Sequence, residues 1–362
     1  AGGVRYYALD NEPFLWNYTH RDVRPEPVGY DELRDKAYTY GAAIKSADAG
    51  AKVFGPALWG ATAYYYSGID AASGNWDNPP DRLAHGDVPL VDWYLQQMRQ
   101  YEQQNGTRIL DYLDLHYYPQ NSGVALQTAG DLATQQMRLR ATRSLWDATY
   151  TDESWIANTT EPVMRLIPRM RDWVNQNYPG TKTAVTEYNY GGLEHINGAL
   201  AQADVLGIFG RENLDLATLW DPPTINQPGA FAFRMYRNYD GNGAVFGDQY
   251  LRSTSQNQGQ LAVYSAKRSS DGMVTVMVVN KSMASVQGDF TFVNYAAGLS
   301  SAEIYQYSAD DLRTIRHENS IVINQHGTAS YVFRANSITL FVFDPTDSNA
   351  PIYDLFLPSI TK

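Results

Sequence analysis

Two short strings define the chemistry this chain could do: Asp10-Asn11-Glu12-Pro13 and Thr186-Glu187-Tyr188-Asn189. Each places a glutamate at the end of a stretch that reads as a β-strand, and the two glutamates lie 175 positions apart. Cleaving a glycosidic bond takes two carboxyls: a protonated one for the leaving oxygen and an ionised one as nucleophile or base. A single glutamate is explained more simply as an ion-paired or helix-capping carboxylate. The second strand-end glutamate tips the balance toward catalysis. Asn11 beside Glu12 carries an amide able to bond a sugar 2-hydroxyl in the transition state. Tyr188 and Asn189 give Glu187 a polar, hydrogen-bonded setting in which a carboxylate stays ionised, and Tyr188 is itself a candidate substrate contact.

A third strand end, Leu113-Asp114-Leu115-His116-Tyr117-Tyr118-Pro119, places His116 and Tyr118 two positions apart and hence on one face. A tyrosine hydroxyl donated to the nucleophile would hold its orientation; a histidine there could bind substrate hydroxyls or tune the acid. Their plainer reading is a satisfied core histidine and a half-buried tyrosine. Trp220 ends the last of these strands and would make a platform for a sugar ring, since C–H faces of pyranoses pack on aromatic planes. Trp16 and Trp59 fall just after strand ends and could do the same. Trp76 and Trp155 lie in long loops, where packing explains them as well as binding.

Metal chemistry is a poorer fit. Asp70, Asp77, Asp81 and Asp87 share one loop without the spacing of a twelve-residue calcium loop, and a solvated acidic loop is the expectation. A structural Ca2+ stays open, with no ligands assigned. The six histidines never pair at zinc-ligand spacing, and no Gly-x-Ser-x-Gly elbow is present.

The elements that must position these residues follow from periodicity. Val4–Leu9, Val53–Gly55, Ile109–Tyr117, Thr183–Glu187 and Leu216–Trp220 read as strands. Tyr30–Asp48, Pro89–Asn105, Pro162–Tyr178, Ile196–Arg211 and Ala230–Asn238 read as helices, with Gly106 closing the second. Five β–α units in a row predict a parallel sheet under covering helices. No Gly-rich phosphate loop follows the first strand, and the chemistry-bearing residues cluster at strand ends, so a (β/α)8 barrel fits better than a doubly wound sheet. After Gly243 the pattern changes to short alternating strands: Leu261–Ala266, Val274–Asn280, Gly288–Val293, Glu303–Tyr307, Ser320–Ile323, Ala329–Phe333 and Ser337–Phe343. These predict an antiparallel β-sandwich. The expected domains are therefore 1–243, part of a barrel; 244–345, a β-sandwich; and 346–362, a linker and apolar tail.

Composition narrows the classes. Charged residues are 19% and apolar residues 44% of the 362, which argues for a folded chain with a large core. A net charge of −11 without a basic run disfavours nucleic acid and anionic membrane as partners, and no apolar run is long enough to span a bilayer. Cysteine is absent, which removes disulfides and thiolate metal sites. Aromatic residues reach 13%, enough to line both a core and a sugar-binding surface.

With these residues in hand, the string Leu9-Asp10-Asn11-Glu12-Pro13-Phe14-Leu15-Trp16-Asn17-Tyr18-Thr19-His20 resembles the acid/base segment of glycoside hydrolase family 44. The resemblance continues through Gly55-Pro56-Ala57-Leu58-Trp59-Gly60, Leu115-His116-Tyr117-Tyr118-Pro119, Thr186-Glu187-Tyr188-Asn189 and Leu219-Trp220, and covers about Val4 to Phe343. It implies a retaining hydrolase on a (β/α)8 barrel with an attached β-sandwich, secreted by a bacterium, that cleaves β-1,4-glucan chains internally without a required cofactor. Glu12 then corresponds to the acid/base at the end of barrel strand four and Glu187 to the nucleophile at the end of strand seven. Asn11 corresponds to the 2-hydroxyl ligand, and His116, Tyr118, Trp155 and Trp220 to cleft-lining positions. In that family a long stretch supplying strands one to three precedes the Asn-Glu-Pro segment. The expectation is that strands four to eight are present here, the front of the barrel being a separate fragment or missing by truncation. Retention predicts a carboxyl separation of about 5–5.5 Å. Xylanase or mannanase activity is the alternative within enzymes; a non-catalytic β-glucan-binding protein is the alternative outside them.

Overall fold

A computed structural model describes residues 3–159, 161–293, 299–324, 327–345 and 354–361. Contacts group the chain into two compact units, the first of Ala1–Tyr118, Met164–Asn189 and Leu214–Trp220, the second of Pro119–Val163, Tyr190–Asn213 and Asp221–Lys362.

The first unit is built on a parallel sheet of five strands in sequential order: β1 (Tyr6–Ala8), β2 (Lys52–Leu58), β3 (Tyr112–Tyr117), β4 (Lys182–Tyr188) and β5 (Leu216–Leu219). Strands paired in chain order with helical crossovers are the pattern of a barrel wall. β3 is buried along its whole length, as a strand covered on both faces must be, and so reads as a run rather than an alternation. Helix Tyr30–Ala47 buries Leu33, Ala37 and Gly41, and helix Leu90–Asn105 buries Val91, Tyr94, Leu95 and Met98 before ending on Gly106 at φ 68°. The helix expected from Pro162 instead runs Leu166–Asn177. Arg165 takes a left-handed backbone (φ 34°), which an α-helix cannot propagate, so the proline stands outside it.

The acidic loop also differs from expectation. Asp70 is fully buried: it caps helix Gly68–Ser73 with Ser67 and accepts the backbone N–H groups of Asp81 and Arg82 at 2.8 and 3.2 Å. Asp81 in turn accepts the Tyr30 N–H at 3.0 Å. These two carboxylates satisfy helix-end donors rather than facing solvent.

The second unit holds β6 (Gln249–Ser255), β7 (Leu261–Lys267), β8 (Val274–Asn280), β9 (Val286–Val293), β10 (Leu299–Ser308), β11 (Asp311–Val322), β12 (Thr328–Phe333), β13 (Ser337–Pro345) and β14 (Asp354–Thr361), ordered β11-β10-β13-β8-β7-β6-β14-β9-β12. One core joins the two ends of that order: Phe290 of β9 meets Phe341 of β13 with ring centroids 4.9 Å apart, and Val263, Val276, Val278 and Phe333 pack with them. Two strands were not expected. β6 is exposed over much of its length and lacks a clean alternation. β14 occupies the expected tail, and it pairs parallel with β6, so the sandwich is not wholly antiparallel. The rest of the expected linker, 346–353, lies outside the described residues. β11 is far longer than Ser320–Ile323 because its largely polar residues, half of them exposed, carry no period-2 apolar signal. Helix Ile196–Arg211 belongs to this unit. Buried Asp204 on it holds Lys281 Nζ at 2.9 Å and the Tyr264 and Thr142 hydroxyls at 2.6 and 2.7 Å. No helix among the described residues is long and apolar enough to cross a membrane.

Candidate active site

After β1 the chain turns through two non-glycine residues with left-handed backbone, Asp10 (φ 68°) and Glu12 (φ 46°). Each such residue costs about 1–3 kcal/mol and persists only where its surroundings fix it. Three hydrogen bonds do so. Glu12 N–H donates to the Ala57 carbonyl at 3.0 Å, Asn11 N–H to Asp10 Oδ1 at 2.8 Å, and the Trp16 indole N–H to the Asn11 carbonyl at 3.0 Å. Ala57, itself at φ 52°, is the extra residue of a bulge in β2: Pro56 faces Asp114 and Leu58 faces Leu115. Pro13 then starts the short turn Pro13–Leu15 directly behind the glutamate.

β3 and β4 bring the other groups to the same place. His116 sits opposite Glu187 in the ladder. Its side chain is 1% exposed, against 22% for Glu12 and 14% for Glu187. His116 Nδ1 lies 3.0 Å from Glu12 Oε1 and 3.4 Å from Glu187 Oε2, and an oxygen of each carboxylate comes within 4.8 Å of the other. Tyr118 donates its hydroxyl to Glu187 Oε2 at 2.9 Å. Burial, and then the Glu187 carboxylate beside it, push that hydroxyl well above its usual range, so Tyr118 stays a donor. Among the described residues Glu12, His116 and Glu187 also form the one group of three such side chains close enough to hold a metal ion. A cation there would neutralise both carboxylates at once.

Asp114 lies one alternation below His116 and is fully buried, bonded to the Thr186 N–H and hydroxyl. Burial pushes its carboxyl up to about 6; the Thr186 bonds and His116 oppose that rise, and the Glu187 charge adds to it. An unfolded aspartate titrates near ~3.9. The folded chain therefore holds the extra proton between these values, and the stability it confers below about pH 4 is lost as pH rises through the folded value. Asp114→Asn removes this titration. In denaturant melts its stability is expected to gain on that of the unsubstituted protein, by on the order of 2 kcal/mol between pH 4 and 7. Parallel pH curves for the two proteins would refute the assignment.

Comparison with known proteins bears on this geometry. The sequence pattern of glycoside hydrolase family 44 matches residues 1–121. The crystal structure of Cel44A, a family 44 endoglucanase from Clostridium thermocellum, is 31% identical with a TM-score of 0.83, covering 94% of this chain and 67% of that one. The chain belongs to glycoside hydrolase family 44. CelM2, a bifunctional glucanase-xylanase from a metagenome library, is 43% identical with a TM-score of 0.88 over 95% of this chain and 65% of its own. Endoglucanase A of Paenibacillus lautus is 37% identical over 284 residues, 77% of this chain and 40% of that protein. The chain thus spans well under two thirds of that curated relative. The likeness to these family 44 structures implies a TIM-like barrel with a β-sandwich domain, the parallel sheet above being part of such a wall. An arabinofuranosidase of family 51 from Xanthomonas axonopodis pv. citri shares the fold at a TM-score of 0.58 and 13% identity.

In this family 44 chain Asn11, Glu12, His116, Tyr118, Glu187 and Trp220 all fall in the first unit at the C-terminal side of the parallel strands. Trp220 is exposed, its backbone held by N–H donation to the Tyr188 carbonyl at 3.0 Å and by its own carbonyl accepting from Asn189 Nδ2 at 2.6 Å. Trp59 is partly buried, its ring 6.0 Å from Phe14. Two expected sugar contacts are placed otherwise. Trp16 is buried, its indole spent on Asn11, so it braces the Glu12 segment rather than offering an open face. Tyr188 is buried because side chains alternate along β4 and it points away from the side Glu187 takes. Trp155 belongs to the second unit, exposed, with its indole N–H on Gln120 Oε1 at 3.2 Å.

Proposed function

We propose that this chain supplies both catalytic carboxyls of a retaining endo-β-1,4-glucanase that acts on cellulose-type glucans and xyloglucan. One observation carries the reading: the Glu12 and Glu187 carboxylates face each other with oxygens within 4.8 Å, bridged by a buried histidine. Inverting enzymes hold their carboxyls about 6.5–9.5 Å apart to admit a water, whereas retaining ones hold them about 5–5.5 Å apart. Glu187 attacks the anomeric carbon as Glu12 protonates the departing glycosidic oxygen. Glu12, now ionised, takes a proton from water, whose oxygen displaces Glu187 and restores both groups. Tyr118 occupies Glu187 Oε2 and leaves the other oxygen for attack. Asn11 bonds the 2-hydroxyl, and Trp220 and Trp59 carry sugar rings. Both steps use only carboxyls and water, so no cofactor is required.

The architecture belongs to the same proposal. Residues 1–243 contribute to an eight-stranded barrel in which β1 is the fourth strand, 244–345 to its β-sandwich, and the protein is exported. Among the described residues β1 pairs on one side only, with β2. A cavity of about 600 Å3 beside it is lined by Ala8, Leu9, Val23, Leu33, Ala37 and Ile44 among others. An unpaired edge with apolar flanks suits a further strand from polypeptide outside this sequence.

The relatives named a xyloglucanase (Paenibacillus polymyxa) and a β-mannanase/endoglucanase A (Caldicellulosiruptor saccharolyticus) set the substrate question. Hydrolysis of carboxymethylcellulose, xyloglucan, xylan and mannan, followed by NMR of the first-formed reducing ends, is expected to favour the two glucans and to release the β-anomer first. Faster cleavage of xylan or mannan would move the assignment to those backbones, and initial α-anomer would exclude double displacement.

A further inference from the structure

β3 and β4 lose even register just below the site. Asp114 faces Ala184 and His116 faces Glu187, so Val185 and Thr186 together stand opposite Leu115. The β4–β5 ladder skips at the same point: Val185 faces Ala217 and Tyr188 faces Leu219, leaving Thr186 and Glu187 opposite Thr218. A bulge strips a residue of ladder partners and re-aims the side chains beyond it. Thr186 is that residue here, and side chains from both neighbouring strands take the place of the ladder. Asp114 Oδ1 accepts the Thr186 N–H at 3.2 Å, and both Asp114 oxygens lie 2.8 Å from Thr186 Oγ1. From the other side the Thr218 hydroxyl donates to the Thr186 carbonyl. A buried carboxylate is costly unless it is well bonded, and among the described residues the side-chain hydrogen bonds of Asp114 all go to the residue directly before Glu187.

We propose that Asp114 is a positioning residue for Glu187: by clamping Thr186 it fixes the bulge that turns the Glu187 carboxylate toward Glu12 and His116. This rests on Glu187 being the nucleophile and adds how its aim is set. Asp114 touches no substrate. Its loss acts through a carboxylate displaced from the line of attack, an error that costs about 10²-fold per ångström.

The test follows turnover of an aryl cello-oligosaccharide by the purified protein, with near-UV circular dichroism to establish the folded fraction. Asp114→Ala is expected to lower kcat about 10²-fold with KM within about threefold, and to slow the burst of aryl release that reports attack by Glu187. Asp114→Asn keeps an acceptor for the Thr186 N–H and is expected to recover most of the lost kcat. Thr186→Val, which keeps shape and charge, decides the matter if Asp114→Ala does not fold; about a tenfold fall in kcat is expected. Folded Asp114→Ala, or Thr186→Val, with kcat within about threefold of the unsubstituted protein would leave Asp114 a stabilising residue only and overturn the proposal. So would a loss confined to KM. An active Glu187→Gln would instead sink the nucleophile assignment beneath it, which keeps the two failures distinct.

Discussion

Glu187→Gln is expected to lower glucan hydrolysis by at least about 10⁴-fold, since removing one member of a catalytic unit removes nearly all it does together. Oligosaccharide affinity is expected to hold within a few-fold, because the substituted amide fills the same space and Trp220, Trp59 and Asn11 are untouched. A smaller replacement sharpens the test. Glu187→Gly opens room beside His116 and Tyr118, the two groups that line that carboxylate at 3.4 and 2.9 Å. Azide added to this variant, with an aryl glycoside as donor, is expected to enter where the carboxylate stood and displace the aryl group in one step. The product is then the α-glycosyl azide, identified by NMR. Substantial wild-type-like turnover in Glu187→Gln would remove it as nucleophile, whatever the azide experiment gave.

The companion substitution separates the two carboxyls by outcome. Glu12→Ala is expected to cost about 10²–10⁴-fold on polysaccharide, the usual worth of a positioned general acid and base. A dinitrophenyl glycoside needs no proton for its leaving group, so its first step is expected to proceed nearly unimpaired, with the glycosyl-enzyme then accumulating for want of a base. Azide relieves that block from the face Glu12 vacates and yields the β-glycosyl azide. Opposite azide stereochemistry from the two variants is the signature of this pair; the same anomer from both would contradict the assigned roles.

Much of the site was legible because its residues sit at strand ends, where alternation and a following proline or turn are visible in the sequence. Glu12, His116, Tyr118 and Glu187 all met where the spacing placed them. What could not be read is the backbone irregularity that aims them. Ala57 and Thr186 are unremarkable residues, and a bulge is a property of two strands rather than one. One signal did exist: Asp114 lies between leucines in a strand buried on both faces, and such a carboxylate must have a dedicated partner. Trp16 and Tyr188 failed as sugar contacts for the complementary reason. An aromatic next to a catalytic residue is as readily used to brace the backbone, and only the direction of its side chain separates the two uses. In the second unit, β6 and most of β11 escaped notice because strands with much exposed surface owe their place to ladder bonds, which leave no apolar rhythm.

The mooring of Glu12 has a consequence for how this protein would fail. In the proposed mechanism the proton donor's main chain is tied to β2 through Ala57, while the nucleophile hangs in the middle of the sheet between β3 and β5. The two halves of the reaction therefore answer to different strands. Warming that loosens the turn after β1 would slacken the gap between donor and nucleophile while the sheet still stands, so competence would fade before cooperative melting begins.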